Sequence, residues 1–305
     1  MLMNQRTVNE AVSIKGRALH SGKEVEVTLK PLAAESGIIF KRTDLKGDNV
    51  IEAKYSNVTS TTLCTEIGNE AGAKVATIEH LMAAFFFLGI DNILVEVRGS
   101  ELPAVDGSAY GFMQKILKVG LKELDSPKSI LEILETVSIK SDKWELSIKP
   151  SESFIINGSI SFEHSFINNQ SYSYRYGEYV DAADISKAKT FGFLKDIDFL
   201  HKNGIGLGAN STNSNIITEN GILDGCKLSY KDEFVKHKIL DMCGDLYLSG
   251  YVIKGEITAF KPGHLANNQL LKAIFNSKAN YNVKHNIKTV VFKYPKREDA
   301  GVFTY

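Results

Sequence analysis

The chain has 305 residues, 43% of them hydrophobic and 24% charged, which suits a globular protein with one large domain or two ordinary ones. Lys plus Arg balances Asp plus Glu at 36 each, so a general nucleic-acid or polyanion binder is excluded, while a local basic pocket is not. The N-terminal MLMNQRTVNE has no apolar signal core, the longest apolar run (Leu81–Ile90) is about half a membrane span, and Cys64, Cys226 and Cys243 are too scattered for a disulfide framework or a CxxC knuckle. A cytoplasmic monomer without a transmembrane segment is expected.

Glu24–Lys30 alternates apolar and polar residues and predicts a half-buried strand ended by Pro31. Short strands are expected at Ile38–Lys41 and Thr61–Ile67. Thr77–Leu88 is apolar nearly all round and predicts a buried helix. Asn92–Arg98 returns to period two. Asp106-Gly107-Ser108 then offers a turn and an N-cap for a helix running to about Leu121. The pattern breaks at Asp125-Ser126-Pro127, which sets an expected boundary between domains 1–126 and 127–305.

In the second half, strands are expected at Ile130–Lys140, Trp144–Lys149, Phe154–Phe162, Tyr251–Lys261 and Ile287–Phe292. Helices are expected at about Asp196–Lys202, Asp232–Ser249 and Leu265–Phe275. Strands with interleaved helices in both halves predict two α+β layers.

On the helix Asp232–Ser249, Val235, Ile239, Met242 and Leu246 form one stripe, with His237, Asp241 and Asp245 on another. An imidazole and a carboxylate one turn apart can share a metal, and zinc at catalytic sites takes three protein ligands and leaves room for water. The same spacing also describes a solvated polar face. Glu79-His80 interrupts an otherwise apolar helix, where ionisable groups need partners or shifted pKa values. His80 alone could be a core histidine bonded to a carbonyl, but a buried Glu beside it is a feature of metal hydrolases. His264 follows Pro262-Gly263 at a helix entrance, as a proton donor, an electrostatic partner or a surface residue. His164, His201 and His285 lie in windows without such company and are read as non-ligands; His20 is read as a substrate contact.

Nine segments in order resemble the UDP-3-O-acyl-N-acetylglucosamine deacetylase family over nearly the whole chain. They are GRALHSG (Gly16–Gly22), KRTD (Lys41–Asp44), LCT (Leu63–Thr65), TIEHLMAA (Thr77–Ala84), LGIDN (Leu88–Asn92), DGSA (Asp106–Ala109), KAKTFGF (Lys187–Phe193), DEFVKHKILDMCGDL (Asp232–Leu246) and KPGHLANNQLL (Lys261–Leu271). The resemblance implies zinc-dependent removal of the acetyl group from a lipid-linked UDP-sugar, the committing step of lipid A synthesis. It implies an α+β fold of two similar domains, each a layer of mixed β-sheet packed on helices, with the active site between the helical layers.

Position by position, the resemblance implies His80, His237 and Asp241 as ligands of one Zn²⁺, or of Fe²⁺ in the cell. Glu79 would be the general base. His264, oriented by Asp245, would protonate or electrostatically support the leaving amine, unless Glu79 delivers that proton too. Thr190 would help hold the oxyanion. Lys238 and Lys261 would meet the sugar or diphosphate, with Phe191, Phe193, Leu194 and Ile197 around sugar and acyl chain. The family usually has Arg where this chain has Lys189, which replaces a planar fork with a point charge.

Two rival readings compete. Gly204–Gly208 (GIGLG) lacks the Lys-Ser or Lys-Thr of a phosphate loop and reads as an ordinary loop. A structural metal site would be closed by four protein ligands, usually with Cys among them, whereas two His and one Asp leave an open position.

Overall fold

In a computed structural model, residues 4–177 and 179–285 are described. The expected strand Ile287–Phe292 lies outside the described residues.

The α+β expectation holds: mixed sheets pack against helices in both halves. In the first half, five strands lie in the order 12–17, 24–31, 93–98, 38–42, 50–52, all antiparallel except the parallel pair of 38–42 and 93–98. That parallel pair shares inward-facing Phe40, Val95 and Val97, all fully buried. In the second half a seven-stranded sheet is organised by Val252–Phe260. One end of this strand pairs with 129–133 in parallel, and the other pairs with 145–149 and 154–161.

Six helices are described: α1 (Glu79–Leu88), α2 (Tyr110–Val119), α3 (Tyr179–Ser186), α4 (Ile197–Lys202), α5 (Glu233–Tyr247) and α6 (His264–Phe275). All ten residues of α1 are buried, as its all-round apolar sequence requires. It stops at Gly89, whose left-handed φ of 65° lets the N–H of Ile90 close on the carbonyl of Phe85. Of the fifteen residues of α5, only Lys238 escapes full burial. The two buried helices cross where Gly244 meets α1: a Cβ there would lie 2.0 Å from the Glu79 carbonyl oxygen. Only glycine permits that approach.

Several expectations shift. Thr61–Thr65 is a loop, with the strand confined to Glu66–Gly68. Ile130–Lys140 divides into Ser129–Ile133 and Val137–Lys140. Ser108 does not cap α2 directly: the helix starts at Tyr110 after Ala109, and the Ser108 hydroxyl accepts the Tyr110 N–H at 3.1 Å. The junction at 126/127 falls within the strand Leu121–Pro127, which pairs with Asn4–Val8. Asn4–Val8, Val12–Arg17, Asn169–Arg175 and α3 were not anticipated.

Candidate metal centre and catalytic cavity

The contact of α1 with α5 brings His80 to His237 and Asp241. One ligand atom from each lies within 4.8 Å of the others. His80 Nε2 is 3.5 Å and His237 Nε2 3.4 Å from Asp241 Oδ1, and the two imidazoles meet edge to face. All three side chains are buried, which removes the solvated-face alternative for α5.

His237 and Asp241 are each held in the state that metal binding needs. His237 Nδ1 donates to the Ala188 carbonyl at 3.0 Å, which directs the lone pair of Nε2 toward Asp241. Burial pushes its pKa down to about 3, so the ring is neutral. Burial opposes ionisation of Asp241, but the charges of Lys238 and His264 favour it and the carboxyl stays well below its usual range. Lys238 donates to Oδ2 at 2.8 Å. Oδ1, by contrast, is buried with no hydrogen-bond partner among the described residues. A buried carboxylate oxygen left bare between two imidazoles is costly unless a cation meets it. The donor set therefore fits a divalent transition metal with three protein ligands.

Glu79 sits beside this set, 3% exposed, with Oε2 accepting the Thr65 N–H at 3.0 Å. Burial raises its pKa, against the opposing pull of His264 and His80. His264, the first residue of α6, places Nε2 3.9 Å from Glu79 Oε1 and Nδ1 2.9 Å from Asp245 Oδ2. Burial alone would lower its pKa, yet Asp245 and Glu79 together raise it to about 9. Asp245 is held at both oxygens: Oδ1 accepts the Thr65 hydroxyl at 2.6 Å, and Oδ2 also accepts Asn267 Nδ2 at 2.8 Å.

His80, His237, Asp241, Glu79 and His264 line a cavity of about 400 Å³ with Thr190, Lys238, Lys261 and Trp144. A second cavity, about 610 Å³ and mostly apolar in its walls, holds Phe193, Ile197, Leu200 and His20. Leu19, Leu63, Thr190 and Phe191 line both, so polar and apolar spaces adjoin. Leu194 does not join them: it is 43% exposed and faces a neighbouring groove with Glu163 and His164. Both ring nitrogens of His20 lack a partner among the described residues, and burial lowers its pKa. Lys189 places its ammonium on the Thr212 carbonyl at 3.0 Å.

Three non-glycine residues with left-handed φ shape the site: Leu63 (61°), Thr77 (58°) and Lys261 (50°). Such backbone costs about 1–3 kcal/mol per residue and persists where surrounding contacts fix it. The Gly204–Gly208 segment is a loop packed on the turn that follows Ala18, its Gly208 N–H bonded to the Leu19 carbonyl. His164, His201 and His285 lie outside the ligand cluster.

Sequence reasoning missed four supporting residues. Glu233, fully buried one turn before His237, accepts the Lys189 N–H (2.9 Å), Asn215 Nδ2 (3.1 Å) and the Ser229 N–H (2.5 Å). It thereby holds the strand end that carries Thr190. Thr65 and Asn267 hold Asp245, and Trp144 closes one wall. Burial of a charged residue was the one available signal, and Glu233 alone offered it.

Comparison with known proteins gives a consistent result. The pattern that defines the LpxC family, described as UDP-3-O-acyl N-acetylglycosamine deacetylase, matches residues 5–276. A UDP-3-O-acyl-N-acetylglucosamine deacetylase from Shewanella violacea is 43% identical over 273 residues, covering 88% of this chain and 89% of the relative. Proteins of the same name from Colwellia psychrerythraea and Pseudoalteromonas atlantica are 43% and 41% identical, covering 90% and 91% of this chain and 90% and 92% of the relatives.

Proposed function

The chain belongs to the UDP-3-O-acyl-N-acetylglucosamine deacetylase family, and from that premise we propose how its own residues carry the reaction. The protein is a metal-dependent deacetylase that hydrolyses the N-acetyl group of UDP-3-O-acyl-N-acetylglucosamine to the free amine and acetate, a step of lipid A synthesis. His80, His237 and Asp241 hold one Zn²⁺; Fe²⁺ suits the same donors, and metal analysis of protein from its native cell separates the two. A metal held there would act as a Lewis acid, lowering the pKa of water to about 7 and polarising a carbonyl oxygen.

Glu79 takes the proton from water as its oxygen adds to the acetyl carbonyl. Its raised pKa, a consequence of burial, makes it a better proton acceptor than a solvated carboxylate. Thr190 donates toward the developing oxyanion. His264, kept protonated by Asp245, gives its proton to the glucosamine nitrogen as the C–N bond breaks. Lys238 and Lys261 meet the polar part of the substrate, and Phe191, Phe193, Ile197 and His20 flank the sugar and acyl chain, with Leu194 at the outer edge. The observation that carries this reading is the bare Asp241 Oδ1 facing two imidazoles in the cavity that holds Glu79 and His264.

We take 1–126 and 127–305 as the two domains, and a cytoplasmic monomer as the working form. Three unpaired cysteines suit a reducing compartment; among the described residues no helix is long and apolar enough to cross a membrane. Acetate release by the purified, metal-analysed protein tests the function. Turnover of UDP-3-O-acyl-N-acetylglucosamine, lost on chelation and regained with zinc, is expected. No release from this substrate by the zinc-loaded protein would refute it.

A further inference from the structure

We propose that Thr65 is a positioning residue that locks the base Glu79 and the His264–Asp245 pair into one arrangement, a role that rests on the deacetylation reading above. Thr65 is 2% exposed and uses every hydrogen-bonding group it has on this site. Its N–H donates to Glu79 Oε2 at 3.0 Å. Its hydroxyl donates to Asp245 Oδ1 at 2.6 Å. Its carbonyl accepts the N–H of Ile78, the residue preceding α1, at 3.3 Å. One loop residue thus touches both the base and the carboxylate that orients His264, which belong to helices from opposite halves of the chain.

The two ends of Asp245 are held differently. Oδ2 is met by His264 and Asn267, whereas Oδ1 accepts the Thr65 hydroxyl. Without the hydroxyl, a buried anionic oxygen loses its donor and the carboxylate is free to turn, carrying the imidazole of His264 with it. The backbone bonds to Glu79 and Ile78 survive any side-chain change, so the hydroxyl can be tested separately. Leu63, with a φ of 61°, makes the turn that delivers Thr65 to both carboxylates. That backbone strain is explained if the loop's task is to present Thr65.

Thr65→Val keeps shape and burial but removes the donor. Steady-state kinetics, metal content and thermal unfolding of wild type, Thr65→Val and Thr65→Ser test the proposal. For Thr65→Val, kcat is expected to fall about 10- to 100-fold, the worth of one hydrogen bond to a charged group, with KM and metal content unchanged. Thr65→Ser should recover most of the loss. In the background of Asp245→Asn, Thr65→Val should cost far less than it does alone, because the two act as a unit. Should Thr65→Val not fold, Thr65→Ala replaces it with the same expectations. Wild-type kcat in the Val variant, failure of Ser to rescue, or additivity with Asp245→Asn would each overturn the role of Thr65 while wild-type turnover keeps the deacetylase reading intact. Absence of wild-type turnover would instead defeat that reading.

Discussion

A carboxylate buried beside a metal site has one use that a solvated one lacks: its raised pKa makes it the stronger proton acceptor. Glu79 meets this description, with its pKa raised by burial and one oxygen fixed by the Thr65 N–H. Glu79→Ala is therefore expected to lower kcat by about 10²- to 10⁴-fold, while atomic absorption still finds one metal per chain. His264 permits a test on the metal-free protein. Its folded pKa, about 9, lies above its reference of 6.5, so its pairing with Asp245 stabilises the fold fully below about pH 6.5 and is lost as pH rises through about 9. The Tm of metal-free protein should fall across that window, and His264→Gln should flatten that part of the curve. Titration of the His264 ring by NMR with a midpoint at or below 6.5 would contradict the ion pair. At this scale the sequence was informative wherever an ionisable residue interrupts an apolar helix, as at Glu79 and His80. It was silent on Thr65 and Asn267, because a polar residue in a loop or at a helix start carries no periodicity that marks what it touches.

The helices α1 and α5 determine whether the site exists, since each supplies part of the ligand set. Their separation is fixed by Gly244, where an added Cβ would sit 2.0 Å from the Glu79 carbonyl oxygen and 3.0 Å from the Ala83 nitrogen, both backbone atoms that cannot swing aside. Gly244→Ala should push the helices apart, costing at least about 1–3 kcal/mol by overpacking. Calorimetry should show a lower Tm, and metal titration a weaker affinity, because His80 is drawn away from His237 and Asp241. Unchanged metal affinity would mean that the helices are not coupled in this way. Both helices were readable from the sequence by their apolar faces. The strand Asn169–Arg175 (NQSYSYR) was not, because its inward positions are Gln170, Tyr172 and Tyr174, of which only Tyr174 is buried, so its alternation carries little apolar contrast. Thr61–Thr65 erred the other way: its β-branched residues read as strand, but the segment is spent on walling and bracing the cavity.

Across the molecule, the site is a joint between two α+β halves, and the metal would bridge them. Removing the ion leaves an ionised, half-bare carboxylate between the helices, while adding it binds the folded chain alone. Metal at about 100 times its Kd should thus raise stability by about 2.7 kcal/mol, so chelation should lower Tm reversibly as well as abolish turnover. A chelated protein with the Tm of the loaded one would contradict this. Strand order and the pairing of distant segments, such as 38–42 with 93–98, are set by long-range contacts that no local pattern records. The ordered family motifs supplied the arrangement of halves that periodicity could not. Anomalous scattering at the zinc edge from crystals of the loaded protein tests the convergence of the two helices most directly. One strong peak is predicted, about 2.0–2.2 Å from His80 Nε2, His237 Nε2 and Asp241 Oδ1. Zinc-loaded crystals with no peak among those three atoms, or with the ion held elsewhere on the chain, would contradict the account.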